Sequence, residues 1–163
     1  MKTVKWNGSH LLKTIAENEA AATKLYRAIG KEARIGEQFF EQLAQDEERH
    51  EKIYNKLFEE FSKTMDIEIE KEDAEYVDLL VESNVLFDDE LVEKAKKIFT
   101  KSQIFDIAER AERDAILFVT ELQRLYPDLA KEEMAIILKE EQKHLKKVLE
   151  RKRESQPMFG RGM

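Results

Sequence analysis

The chain has 163 residues and a formal net charge of -7, with a pI near 5.2; that is one domain's length, and its acidity argues against nucleic acid or an anionic membrane as the main partner. Hydrophobic residues at 42%, charged residues at 39%, five Gly and two Pro favour long amphipathic helices over sheet. No stretch is long and apolar enough to span a bilayer and Met1 to Trp6 lacks the apolar core of a secretory signal, so a cytoplasmic location is expected; the chain has no cysteine for a thiolate metal site.

Residues 1–8 read as a short arm ending at Asn7-Gly8, with Trp6 packing at a bundle end or a subunit contact and Ser9 as the N-cap of the first long helix. That helix is predicted over about residues 9–33, where Leu12, Ile15, Glu19, Ala22, Tyr26 and Ile29 share one stripe. Glu19 stands in a slot where an apolar residue belongs, His10 is a surface residue far from that slot, and Gly30 permits close packing. Ile35-Gly36 turns the chain into a second helix over about 37–62. Its stripe of Phe39, Phe40, Leu43, Ile53, Tyr54, Leu57 and Phe61 brackets Glu47 and His50.

Residues 64–101 form a connector along the bundle. Met65 to Glu70 alternates apolar and charged residues like a strand, but with no evident partner it reads as extended chain, followed by two short helices near 73–82 and 89–99. A third long helix over about 102–125 carries Phe105, Ala108, Glu112, Ala115, Val119 and Leu122 in one stripe, and stops at Tyr126-Pro127. Asp128 is expected to cap the fourth, over about 128–154, in which Ile137, Leu138, Leu145 and Val148 bracket Glu141 and His144. Residues 155–163 form a tail whose Met158-Phe159 pair can dock on a neighbour.

The halves of the chain repeat. Glu19 and Glu112, Glu47 and Glu141, and His50 and His144 correspond at an offset of 93 or 94 residues, so each half offers one inward Glu from its first helix and a Glu-x-x-His from its second. A carboxylate and an imidazole three positions apart lie on one helical face. On an apolar face they need partners or a metal, because unpaired burial costs several kcal/mol. Four carboxylates call for two divalent ions, and oxygen donors with one imidazole per metal suit iron or manganese. Asp46 and Glu140, four positions before the same histidines, satisfy helical geometry equally well.

Over residues 9–154 the sequence resembles the ferritin-like di-iron carboxylate superfamily, and within it the rubrerythrin family. The residues that carry the resemblance are Glu19 with Tyr26 seven positions on, Glu47 with His50, Glu112 within Ala-Glu-Arg-Asp-Ala-Ile-Leu-Phe, and Glu141 with His144. The resemblance implies an all-α, antiparallel four-helix bundle with a long crossover between the second and third helices. It also implies two iron ions, replaceable by manganese or zinc, with Glu47 and Glu141 bridging. Glu19 and Glu112 would be terminal ligands; His50 and His144 would hold one iron each, or His50 in one oxidation state only. By the same resemblance the three-residue step selects Glu47 and Glu141 over Asp46 and Glu140. Glu109, three residues before Glu112, fits the family's Glu-x-x-Glu pair, whose extra carboxylate exchanges with histidine. Tyr26 would hydrogen-bond a ligand carboxylate, while Val119 stands where its symmetric partner would be.

The rubredoxin module of many rubrerythrins needs four cysteines and is absent. Electrons would come from an external donor protein such as a rubredoxin. The expected activity is reduction of a small oxidant, hydrogen peroxide or dioxygen, by a homodimer. Ferroxidase activity or iron storage is the alternative, and a non-enzymatic helical module, with its Glu and His slots facing solvent, a further one.

Overall fold

The structure is a computed structural model that describes residues 2–32, 36–84, 90, 93 and 100–155. Its elements in chain order are strand β1 (Thr3–Asn7), helices α1 (Ser9–Glu32) and α2 (Glu37–Phe61), a single 3-10 turn (Ser62–Thr64), strand β2 (Asp66–Glu70), and helices α3 (Lys71–Glu82), α4 (Lys101–Leu125) and α5 (Lys131–Glu154). The four long helices occur where apolar periodicity places them.

Their packing follows from which ends share a core. One apolar cluster joins Leu11, Leu12 and Ile15 of α1 to Tyr54 and Leu57 of α2, Phe118 and Leu122 of α4, and Met134 and Ile137 of α5. The other joins Leu25, Tyr26 and Ile29 of α1 to Phe40 and Leu43 of α2, Phe105 and Ala108 of α4, and Val148 of α5. Hence α1 and α5 run one way and α2 and α4 the other, and the link from α2 to α4 must travel the length of the bundle. On every long helix the gap between the two clusters is filled by a charged residue or a Glu-x-x-His pair. The polar layer is therefore a plane across the middle of the bundle.

The end nearest the N-terminus is closed by a two-stranded antiparallel sheet in which Trp6 faces Ile67 and Val4 faces Ile69. This corrects the reading of residues 1–8 as an arm and of Met65 to Glu70 as unpaired extended chain: each strand is the other's partner. Trp6 is buried and donates from Nε1 to Asp78 Oδ1 at 3.0 Å, so its packing at the bundle end holds. His10, half exposed, meets the same Asp78 oxygen from Nε2 at 2.7 Å, in keeping with a surface role. Tyr126 staples this end, with its hydroxyl donating to the Met65 carbonyl and accepting from the Gly8 N–H, both at 2.7 Å. A Cβ on Gly8 would lie 2.7 Å from the Trp6 ring and from the Tyr126 oxygen, so only glycine fits this corner.

Helix ends depart from expectation in two places. Ser9 is already inside α1; its N–H is taken by Asn7 Oδ1, and the Gly8 carbonyl accepts from Leu11, so Asn7-Gly8 does the capping. Asp128 caps nothing. Residues 127–130 form a turn after Pro127, and α5 starts at Lys131 behind Ala130, whose φ is 43°. Elsewhere Thr100 and Gln103 form a reciprocal capping box at the start of α4. Gly36 enters α2 at φ 61°. A Cβ on Gly30 would sit 3.2 Å from the Glu37 carbonyl and from Phe40, which confirms that this glycine lets α1 and α2 approach. The first expected short helix is α3; of the second, near 89–99, Glu90 and Glu93 alone are among the described residues, both helical, and the Met158-Phe159 pair lies outside them.

Candidate metal centre

Each half of the chain delivers its three polar side chains to the same plane. Glu19, Glu47, His50, Glu112, Glu141 and His144 are all between 0 and 3% exposed. The solvent-facing arrangement expected of a helical interaction module is thus overturned. Ligand atoms of Glu19, Glu47, His50 and Glu141 lie within 4.8 Å of one another, and so do those of Glu47, Glu112, Glu141 and His144. The two groups share Glu47 and Glu141 and differ in one Glu and one His each. Each group could hold one cation, with Glu47 and Glu141 common to both.

The donor atoms converge without satisfying one another. His144 Nδ1 is 3.0 Å from Glu47 Oε1, 3.1 Å from Glu141 Oε1 and 3.6 Å from Glu112 Oε2. His50 Nδ1 is 3.5 Å from Glu141 Oε1, 3.7 Å from Glu47 Oε1 and 3.8 Å from Glu19 Oε2. These approaches lack hydrogen-bond alignment: among the described residues, every buried side-chain nitrogen or oxygen without a hydrogen bond belongs to one of these six side chains. Buried polar atoms are otherwise nearly always paired, and orphans concentrated at one place mark a missing partner. A pair of divalent cations satisfies both the lone pairs and the negative charge, so the residues fit the group.

Electrostatics tell the same story for the protein without cations. Burial, then the charge of Glu141, pushes Glu47 and Glu19 well above the usual carboxylate range. The same causes raise Glu112 to about 7. Burial alone would raise Glu141 too, but His144, His50 and Glu47 outweigh it and hold it below its ordinary value. Burial alone would lower both imidazoles; Glu141 for His50, and Asp46 foremost for His144, outweigh it and keep both above the usual histidine value. Protons are the fallback counter-charge for a site built for cations.

Around these six, Tyr26 donates its hydroxyl to Glu112 Oε1 at 2.8 Å, as expected. Glu109 belongs to neither group: it accepts from Arg113 Nε at 2.8 Å and Lys152 Nζ at 3.0 Å, which hold its carboxyl below the usual range. Sequence reasoning missed three outer residues. Asp46 and Glu140, set aside as ligands, turn to the far nitrogens of the histidines, and Arg49 binds both of them. It also missed Tyr54, buried below the cluster as part of an apolar stripe; burial first, then the charges of Glu19, Glu141 and Glu47, oppose its ionisation. A cavity of about 20 Å³, between the small side chains Ala22, Ala111 and Ala115 and an Asn18–Asn84 amide pair, reaches Glu19 and Glu47.

Known proteins share this architecture. The chain is similar to a solved structure described as a putative ferritin-like diiron-carboxylate protein from Thermotoga maritima, at 26% identity and a TM-score of 0.73, over 93% of this chain and 97% of that one. No curated protein matches it. The family model described as rubrerythrin matches residues 10–151, and with a ferritin-like bundle built round two ligand groups that share a pair of glutamates, the chain belongs to the rubrerythrin family.

Proposed function

We propose that the protein is a di-iron oxidoreductase that reduces hydrogen peroxide, or dioxygen, with electrons from an external donor protein such as a rubredoxin. The observation that carries this reading is the pair of buried ligand groups with Glu47 and Glu141 in common. Oxygen-rich donors with one imidazole per position favour iron or manganese over zinc. In this arrangement Glu19 and His50 would complete one position, Glu112 and His144 the other. With iron held by these residues, the centre would supply two electrons, which together with two protons is what converting hydrogen peroxide to two water molecules requires; taking dioxygen to water would require four of each.

The chain's own part is positioning and exclusion. Tyr26 occupies Glu112 Oε1 and leaves Oε2 turned to the cluster, so the carboxylate is fixed in its ligating orientation. The apolar layers above and below keep bulk water from the plane. The cavity beside Glu19 and Glu47, with room for about one water-sized molecule, is a route by which a small oxidant would reach these carboxylates.

The test is anaerobic mixing of the ferrous protein with hydrogen peroxide. Oxidation within seconds at one peroxide per two irons is expected; a metal-replete protein that peroxide leaves ferrous removes the reading. Purified protein holding many irons per chain in a large hollow assembly would support storage instead.

A further inference from the structure

The outer carboxylates are crossed between halves. Asp46 lies four residues before His50 but meets His144, with Oδ2 2.8 Å from Nε2; Glu140 lies four before His144 but faces His50, with Oε2 3.5 Å from Nε2. The two contacts are not equivalent. The first is a hydrogen bond, whereas His50 Nε2 is fully buried and has no hydrogen-bond partner. The cause is Arg49. Its Nη2 holds Asp46 by Oδ1 at 3.2 Å, leaving Oδ2 for His144, yet holds Glu140 by Oε2, the very oxygen that faces His50.

An imidazole that donates one N–H to a carboxylate has its tautomer and ring plane fixed and its other nitrogen made more basic. His144 therefore keeps Nδ1 on the side of Glu47, Glu141 and Glu112, the nitrogen at which a cation would replace the proton. His50 has no such support on its outer side. We infer that the two cation positions are unequal: the one completed by Glu112 and His144 binds more tightly and fills first, with Asp46 as its positioning residue and Arg49 withholding the equivalent support from His50. The inference rests on the dinuclear reading above and adds an order of filling that the internal repeat alone would not provide.

Anaerobic calorimetric titration of the metal-free 163-residue chain with cobalt(II) tests it. The wild type should take up two ions in two resolved steps. Asp46→Ala should weaken the first step about ten- to a hundredfold, the usual cost of losing an outer-shell partner, and merge the two steps. Asp46→Asn, which keeps an acceptor oxygen opposite Nε2, should restore most of the separation. Glu140→Ala removes the same charge from the same surface and should leave two resolved steps. With one equivalent of cobalt, a paramagnetically shifted, exchangeable imidazole N–H should be present and should vanish in His144→Gln. Two ions bound with indistinguishable affinity, or equal effects of Asp46→Ala and Glu140→Ala, would overturn the hierarchy while leaving the dinuclear centre standing. A chain that binds no cobalt would remove both.

Discussion

Removing the metal should destabilise the protein, and the loss should grow with pH. Metal-free, the bundle must keep four carboxylates in one plane at 1 to 3% exposure. For Glu112 alone, a rise from 4.5 to about 7 corresponds to about 3 kcal/mol of opposition to ionisation. Glu19, Glu47 and Glu112 are all raised, so between about 4.5 and 7 the folded metal-free protein holds more protons than the unfolded chain, and its stability falls as pH rises. The raised His50 and His144 act in the same direction above their ordinary value of 6.5. The lowered Glu141 and Asp46 contribute the opposite slope only below the normal carboxylate range, outside this window. Cations replace those protons and remove the penalty. At a free-metal concentration a thousandfold above Kd each bound ion adds about 4 kcal/mol. For a chain of this size that is about 8 to 16 °C in Tm. Calorimetric melts of stripped and anaerobically reloaded protein, taken from pH 5 to 8, measure both quantities. Equal melting temperatures, or a gap that narrows as pH rises, would refute the reasoning.

Glu47→Ala should abolish binding of two metals per chain, whereas Glu48→Ala should keep both, because Glu48 points away to pair with Arg27 at 2.9 Å; elemental analysis separates them. Tyr26→Phe strands a buried Glu112 oxygen and should cost about 1 to 3 kcal/mol in urea unfolding of the metal-free protein. Ala115→Leu fills the cavity beside Glu19 and Glu47, and should slow stopped-flow oxidation by peroxide while the metal content stays unchanged. Gly8→Ala drives a methyl into Trp6 and Tyr126 and should lower stability by about 1 to 3 kcal/mol without touching the metal plane.

What the sequence made legible was whatever helical periodicity encodes. Glu19, Glu47, His50, Glu112, Glu141 and His144 could be found because each breaks an apolar stripe and each has a counterpart in the other half. Contacts between elements distant in sequence were beyond that signal. Ile67 and Ile69 alternate like a strand, but their partners Trp6 and Val4 are some sixty residues earlier, and nothing local announces the pairing. Asp46 and Glu140 sit at a spacing that suits their own helix's histidine; that each turns instead to the opposite one depends on how α2 and α5 face each other. Glu109 is near the site in sequence but just off the inward face, where Arg113 and Lys152 were free to claim it. At Asp128 the side chain suited a cap, yet the turn after Pro127 delays α5 to Lys131.

The central claim is that these six side chains hold two metal ions between Glu47 and Glu141. Anomalous diffraction at the iron edge from crystals of the anaerobically reconstituted protein tests it most directly. Two strong peaks flanked by Glu19 and His50 on one side, and by Glu112 and His144 on the other, are expected. A plane of glutamates without anomalous density, or iron found only on exposed carboxylates, would contradict the account.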